Sequence, residues 1–140
     1  MKIGFIGFLL MTNIFTSLFG QSPVNWTFHF KDIGDKVDIV ATANIQKKWA
    51  IYSQFTEEDG PIPTTFYMSE EVVVFEEGKN VISEMDPHFE VQVLKFKDKA
   101  VFTFQLEKKN KKALSGYVNF MTCDEERCLP PTRVPFNYSW

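Results

Sequence analysis

Apolar and polar residues alternate along most of this chain with the period of a strand rather than a helix. Between Val24 and Phe30, the residues Val24, Trp26, Phe28 and Phe30 fall on one side and Asn25, Thr27 and His29 on the other. Successive side chains of extended backbone point to opposite faces, so this predicts a half-buried strand. Asp32-Ile33-Gly34-Asp35 supplies a turn, and Val37, Ile39, Ala41, Ala43 and Ile45 alternate through a second strand. Gln46-Lys47-Lys48 breaks the pattern, and Trp49–Ser53 resumes it. Glu57–Pro63 is predicted to be a loop, because Pro61 and Pro63 lack the N–H that an interior strand donates. Short strands are predicted at Thr64–Met68 and Val72–Phe75, a turn at Glu76–Asn80 and an irregular piece at Glu84–His88. Phe89–Phe96 and Val101–Leu106 flank Lys97-Asp98-Lys99 and read as a hairpin-like pair. Gly116–Thr122 leads into a loop, and Val134, Phe136 and Tyr138 alternate after it. No stretch of about eleven residues or more sustains a helical period. Roughly eight or nine short strands with frequent turn signals predict an all-β sandwich or barrel.

The N-terminus stands outside this pattern. Met1-Lys2 is a minimal basic start, Ile3–Met11 an unbroken run of apolar residues and glycine, Ile14–Phe19 its continuation and Gly20 a small residue. That order describes a secretory signal peptide over residues 1–20, with 21–140 as a single exported domain. An uncleaved anchor is the competing reading, but Thr12, Asn13, Thr16 and Ser17 interrupt the apolar run. No second long apolar run follows, so no stable membrane span is expected once the signal is cleaved.

Fifteen Phe, four Tyr and three Trp fit a pleated, half-buried surface. Losing Lys2 from the 15 basic residues leaves 14 against 18 acidic ones, which argues against nucleic acid as a partner. The lysines around Asn110 read as a solvated turn.

Two cysteines, Cys123 and Cys128, are the only ones in the chain. Outside the cytoplasm such a pair is expected to be joined at least part of the time. A hairpin mouth of this length brings two Cα atoms within bonding range. Closing a loop of about six residues stabilises by roughly 2 kcal/mol, against about 4–5 kcal/mol for a bridge between distant strands. That leans toward redox use, yet spacing alone leaves a rigid structural cystine equally open. Asp124, Glu125 and Glu126 disfavour a thiolate at Cys123, whereas Arg127 favours one at Cys128, which makes Cys128 the better attacking sulfur. Zinc would need two further ligands, and only His29 and His88 are available. Nothing in the spacing supports a cysteine-protease arrangement.

The residues Gly116-Tyr117-Val118-Asn119-Phe120-Met121-Thr122-Cys123 and then Cys128-Leu129-Pro130-Pro131 resemble the active-site hairpin of the N-terminal periplasmic domain of DsbD-type thiol:disulfide interchange proteins. Trp49–Gln54 and Gly60–Thr64 resemble the strand and loop upstream of it, so the likeness covers residues 23–140. The resemblance implies an immunoglobulin-like β-sandwich with a cysteine pair that cycles between disulfide and dithiol and needs no other cofactor. It implies a thioredoxin-like or DsbD-type membrane electron donor, here expected to be a separate protein, and periplasmic acceptor proteins. Cys128 takes the position of the cysteine that forms the mixed disulfide, and Cys123 that of its resolving partner. Phe89 takes the position of a cap residue that shields the disulfide. Pro87 and His88 stand where the family has acidic residues, with Asp86 one step back; His88 is either a plain exposed loop histidine or a source of pH-dependent charge in their place. Tyr52 matches a tyrosine near the family's active site. The cysteine spacing is one residue shorter than in the best-known members. The alternative function is a non-enzymatic immunoglobulin-like binding module whose cystine only braces a loop.

Overall fold

The computed structural model describes residues 22–140. The expected signal peptide, 1–20, lies outside the described residues. Twelve strands follow in order: β1 (Val24–Asp32), β2 (Lys36–Ile45), β3 (Ala50–Tyr52), β4 (Thr65–Met68), β5 (Glu71–Val73), β6 (Glu76–Glu77), β7 (Ile82–Met85), β8 (Gln92–Phe96), β9 (Lys99–Glu107), β10 (Ala113–Phe120), β11 (Thr122–Cys123) and β12 (Thr132–Ser139). They form three four-stranded sheets, ordered β1-β2-β9-β6, β12-β10-β4-β5 and β11-β3-β8-β7. Each sheet keeps two edges, so the architecture is a sandwich and not a closed barrel.

The first two sheets enclose the main core. Both alternations predicted at the N-terminal end hold. Val24 and Trp26 are buried with Phe28 and Phe30 packed beside them, and Val37, Ile39, Ala41, Ala43 and Ile45 are all buried. The second sheet contributes Phe66, Met68, Leu114, Val118, Phe120 and Phe136. Trp26 joins the two layers. Its indole stacks with Phe28 and Phe102, meets Phe66 edge-on and lies 5.5 Å from the Phe120 ring. In β10, a Cβ on Gly116 would sit 2.2 Å from the Tyr67 carbonyl oxygen, so the β10–β4 approach requires glycine there.

Two sequence expectations need correction. Twelve strands exceed the eight or nine predicted: β6, read as part of a turn, and β11 are two residues each and too short to show a period, and β7 ends in the Glu84–His88 stretch read as irregular. The segments around Lys97-Asp98-Lys99 do not form a hairpin. β8 pairs with β3 and β7, whereas β9 pairs with β2 and β6. Asp98 adopts a left-handed φ of 65°, and its carbonyl accepts from Ile45 N at 2.8 Å. This junction passes the chain from one sheet to another, with Phe96 and Ala100 both buried in the main core.

The third sheet is two-faced. Ile51 and Phe96, directly paired between β3 and β8, point into the main core. The opposite face carries a smaller cluster of Tyr52, Val93 and Cys123, with Val91, Met121 and Cys128 packed against it.

Candidate functional site

Strand register assembles the site. Cys123 lies opposite Ala50, Tyr52 opposite Lys95, and Glu84 opposite Val93. Directly opposed residues share a face, as do residues two apart on one strand. Cys123, Ala50, Tyr52, Val93, Lys95 and Glu84 therefore occupy the same face of the third sheet.

Cys123 and Cys128 are joined in a disulfide, with Cα atoms 4.0 Å apart. They oppose each other as an antiparallel bridge. Below them, Leu129 N donates to Thr122 O at 2.9 Å, and the Thr122 hydroxyl donates to Ala50 O at 2.8 Å. Above them, Asp124 N donates to Arg127 O at 2.9 Å. Asp124 Oδ1 accepts from Glu126 N at 2.8 Å and Arg127 N at 2.7 Å. The Arg127 and Glu126 amides hold this carboxyl below the usual aspartate range. The loop is thus organised by its own backbone as well as by the bridge. Cys123 is only 4% exposed, whereas Cys128 is half-buried at the surface. The Arg127 guanidinium lies over the Trp49 ring, 5.6 Å from its centroid.

A second turn, Asp86–Glu90, faces the loop. Asp86 N donates to Val91 O at 2.8 Å and Glu90 N to Asp86 O at 2.9 Å. Glu90 takes a left-handed φ of 56°, uncommon for a residue with a Cβ. Asp86 is buried, and its Oδ1 accepts from His88 N at 2.8 Å and Phe89 N at 3.2 Å. Its Oδ2 accepts from the Tyr52 hydroxyl at 3.2 Å. His88 Nε2 lies 2.5 Å from Asp124 O. Between turn and loop runs a cleft of about 670 Å³ whose walls include Tyr52, Asp86, His88, Lys95, Cys123 and Asp124. Lys95 is buried, and its ammonium pairs with Glu84, which Lys97 also approaches at 3.5 Å. The bond from Lys95 holds the Glu84 carboxyl below its ordinary range.

Burial, followed by the Asp86 charge, pushes the Tyr52 hydroxyl well above the ordinary tyrosine range. An unfolded tyrosine ionises near pH 10. From about that pH upward the unfolded chain gives up a proton that the folded one keeps, so Tyr52 costs stability as pH rises further. Below pH 10 its contribution is fully present. The phenolate absorbance of wild type minus that of Tyr52→Phe is expected to stay flat through pH 10 and to rise only well above it. A difference signal with its midpoint at pH 10 would contradict this.

Of the residues singled out in the sequence, Tyr52, His88 and Cys123 line one cleft, and Cys128 is bonded to the last of them. Phe89 follows His88 in the opposing turn and is half-buried, with its Cβ 3.7 Å from where a side chain on Gly60 would begin. His29, weighed as a zinc ligand, is exposed on β1, and among the described residues no group of three or more metal-ligating side chains converges. Sequence reasoning missed Lys95 and Glu84. The available signal was Lys95 following Val93 at strand spacing, on one face of β8. Met85 beside the cleft and Ile62 near Met121 are apolar residues at the surface; they are 61% and 41% exposed.

No protein-family model matches this chain, and no curated protein matches its sequence. Solved structures do resemble it. The N-terminal periplasmic domain of ScsB from Proteus mirabilis matches with a TM-score of 0.61 at 17% identity over 83% of this chain, which spans 45% of that one's length. The N-terminal domain of DsbD from Neisseria meningitidis, in its reduced form, matches with a TM-score of 0.56 at 14% identity, over 82% of this chain and 85% of that one. Among the described residues no helix is long and apolar enough to cross a membrane. At these identities the likeness is one of fold: this chain has the immunoglobulin-like β-sandwich of the DsbD N-terminal domain, the family its cysteine hairpin resembles.

Proposed function

We propose that this chain is an exported thiol:disulfide exchange module, with 1–20 as a cleaved signal peptide and 21–140 as the working domain in the periplasm. Its Cys123–Cys128 disulfide relays reducing equivalents from a thioredoxin-like or DsbD-type membrane donor to periplasmic acceptor proteins. The observation that carries this reading is the asymmetry of the bridge. Cys123 is buried beneath the cleft, while Cys128 reaches the surface. An incoming sulfur therefore meets Cys128 first.

In the charging half-reaction a donor thiolate attacks Cys128 Sγ, and the Cys123–Cys128 bond breaks. Cys123 leaves as a thiolate and takes a proton. The donor's second thiolate then attacks its own sulfur of the mixed disulfide and releases Cys128. The donor ends as a disulfide and this chain as a dithiol. In the second half-reaction the Cys128 thiolate attacks an acceptor disulfide, and Cys123 resolves the mixed disulfide, so the two electrons pass on. Phe89, His88 and Tyr52 shield the bridge between these encounters. The exposed Met85 and Ile62 provide apolar contact area for a partner.

Equilibration with a graded redox buffer tests the reading. The expected reduction potential lies between about −120 and −270 mV, the span of exchange proteins. A value below about −300 mV marks a cystine that only braces its loop and would establish the binding-module alternative instead.

A further inference from the structure

The charges of this domain are unevenly placed. Segments 54–64, 85–92 and 121–131 meet at the cystine end and carry eight carboxylates against one cation, Arg127. The cleft wall adds Glu84 against Lys48, Lys95 and Lys97. Nine carboxylates thus stand with four cations at this end, while the rest of 22–140 holds nine acidic and ten basic residues. The net negative charge of the domain therefore sits around its disulfide. Those four cations are placed elsewhere than beside the surface sulfur. Lys95 and Lys97 share Glu84, Lys48 lines the cleft on the Cys123 side, and Arg127 lies over Trp49, which packs on the main core.

The loop 57–63 does not line that cleft. It is carried on the apolar patch that holds Cys128. Ile62 N donates to Met121 Sδ at 3.5 Å, and a Cβ on Gly60 would lie 2.8 Å from Val91 Cγ2, so only glycine lets the loop sit this close. Met121, Val91 and Cys128 all pack on the cluster of Tyr52, Val93 and Cys123. Glu57, Glu58 and Asp59 are exposed, and among the described residues none of them forms an ion pair. A thiolate approaching Cys128 brings further negative charge to this surface. Cations carried beside that thiolate offset the repulsion and speed the encounter.

We propose that the loop 57–63, with Ile62 and Met121 beside it, is the docking surface for the exchange partner, and that the partner is a protein presenting basic side chains around its reactive cysteine. The identity of the occupant rests on the exchange reading above; the charge preference is measured without it. The test uses two five-residue peptides with a central cysteine, one flanked by lysines and one by glutamates. Each reduces the oxidised chain in two steps. A peptide thiolate attacks Cys128 Sγ and Cys123 leaves as a thiolate that takes a proton. A second peptide thiolate then releases Cys128, so two peptide thiols become one disulfide and the chain takes up two electrons.

Rates are compared between wild type and the triple variant Glu57→Gln, Glu58→Gln, Asp59→Asn. Each peptide's own nucleophilicity cancels in the ratio of the two chains. The variant is expected to be reduced roughly two- to fivefold more slowly by the lysine peptide and faster by the glutamate peptide, the range that exposed charge interactions yield. Both effects should vanish near 1 M salt, where screening acts within about 3 Å. Equal ratios for the two peptides overturn the proposal, as does a preference that survives high salt. Should the variant not fold, a salt titration of the unaltered chain decides. Reduction by the lysine peptide must then slow with salt and that by the glutamate peptide quicken, and any other pair of trends overturns the proposal. A reduction potential in the structural range would remove the exchange reading and leave these ratios intact. Equal ratios with a potential in the exchange range would remove the basic partner alone.

Discussion

Cys128→Ser is expected to lose electron transfer to background, while Cys123→Ser is expected to accumulate as a covalent complex with its acceptor. The difference follows from the geometry. Cys128 is the surface-reaching sulfur, so without it no mixed disulfide forms in either direction. Cys123 is buried behind it, so without Cys123 the attack still occurs but no thiol remains to resolve the product. The complex should run at the summed mass on a non-reducing gel and collapse with reductant. Unfolding would not account for the loss. Opening a loop of about six residues costs roughly 2 kcal/mol, a drop of about 8 °C in melting temperature for a domain of this size. Asp124 and the Leu129–Thr122 bond continue to organise the loop. If both serine variants retained partner binding with only that loss of stability, the cystine would be a brace and the exchange mechanism wrong.

Trp26→Ala is expected to destabilise the fold by about 3–5 kcal/mol, the cost of emptying a buried aromatic site. Domains of this kind are stable by only about 5–15 kcal/mol, so the urea midpoint should fall by roughly a fifth or more. Trp26 reaches from β1 to aromatic residues of β4, β9 and β10, and its loss leaves a void between the two layers. Its Nε1 is buried without a hydrogen-bond partner. Phenylalanine keeps most of the packing and removes that orphan donor, so Trp26→Phe should cost far less than alanine. Urea titration of both variants checks the pair. A Trp26→Ala loss under about 1 kcal/mol would show that the layers do not depend on the indole.

Much of this protein was legible in its sequence, for reasons that are local. Strand alternation has a period of two, so the buried sides of β1 and β2 could be read residue by residue. Pro61 and Pro63 excluded a central strand because of a missing N–H. Cys123 and Cys128 are five residues apart, a separation at which one turn brings them together. The hairpin motif also pointed to the fold that the solved structures share. Other features depended on contacts between distant parts of the chain. Alternation assigns a residue to a face but does not choose the neighbouring strand, so Lys97-Asp98-Lys99 read as a hairpin although it joins two sheets. Lys95 lies within the predicted Phe89–Phe96 strand, and only its pairing with Tyr52 places it beside the cleft. The Tyr52–Asp86 and His88–Asp124 contacts span 34 and 36 residues, beyond the reach of any local pattern. Strand faces and the short spacing of the two cysteines are local properties and could be read from the residues alone. Which cysteine is buried, and what stands beside it, emerges in the folded chain, because burial and long-range hydrogen bonds exist only once the sheets have packed.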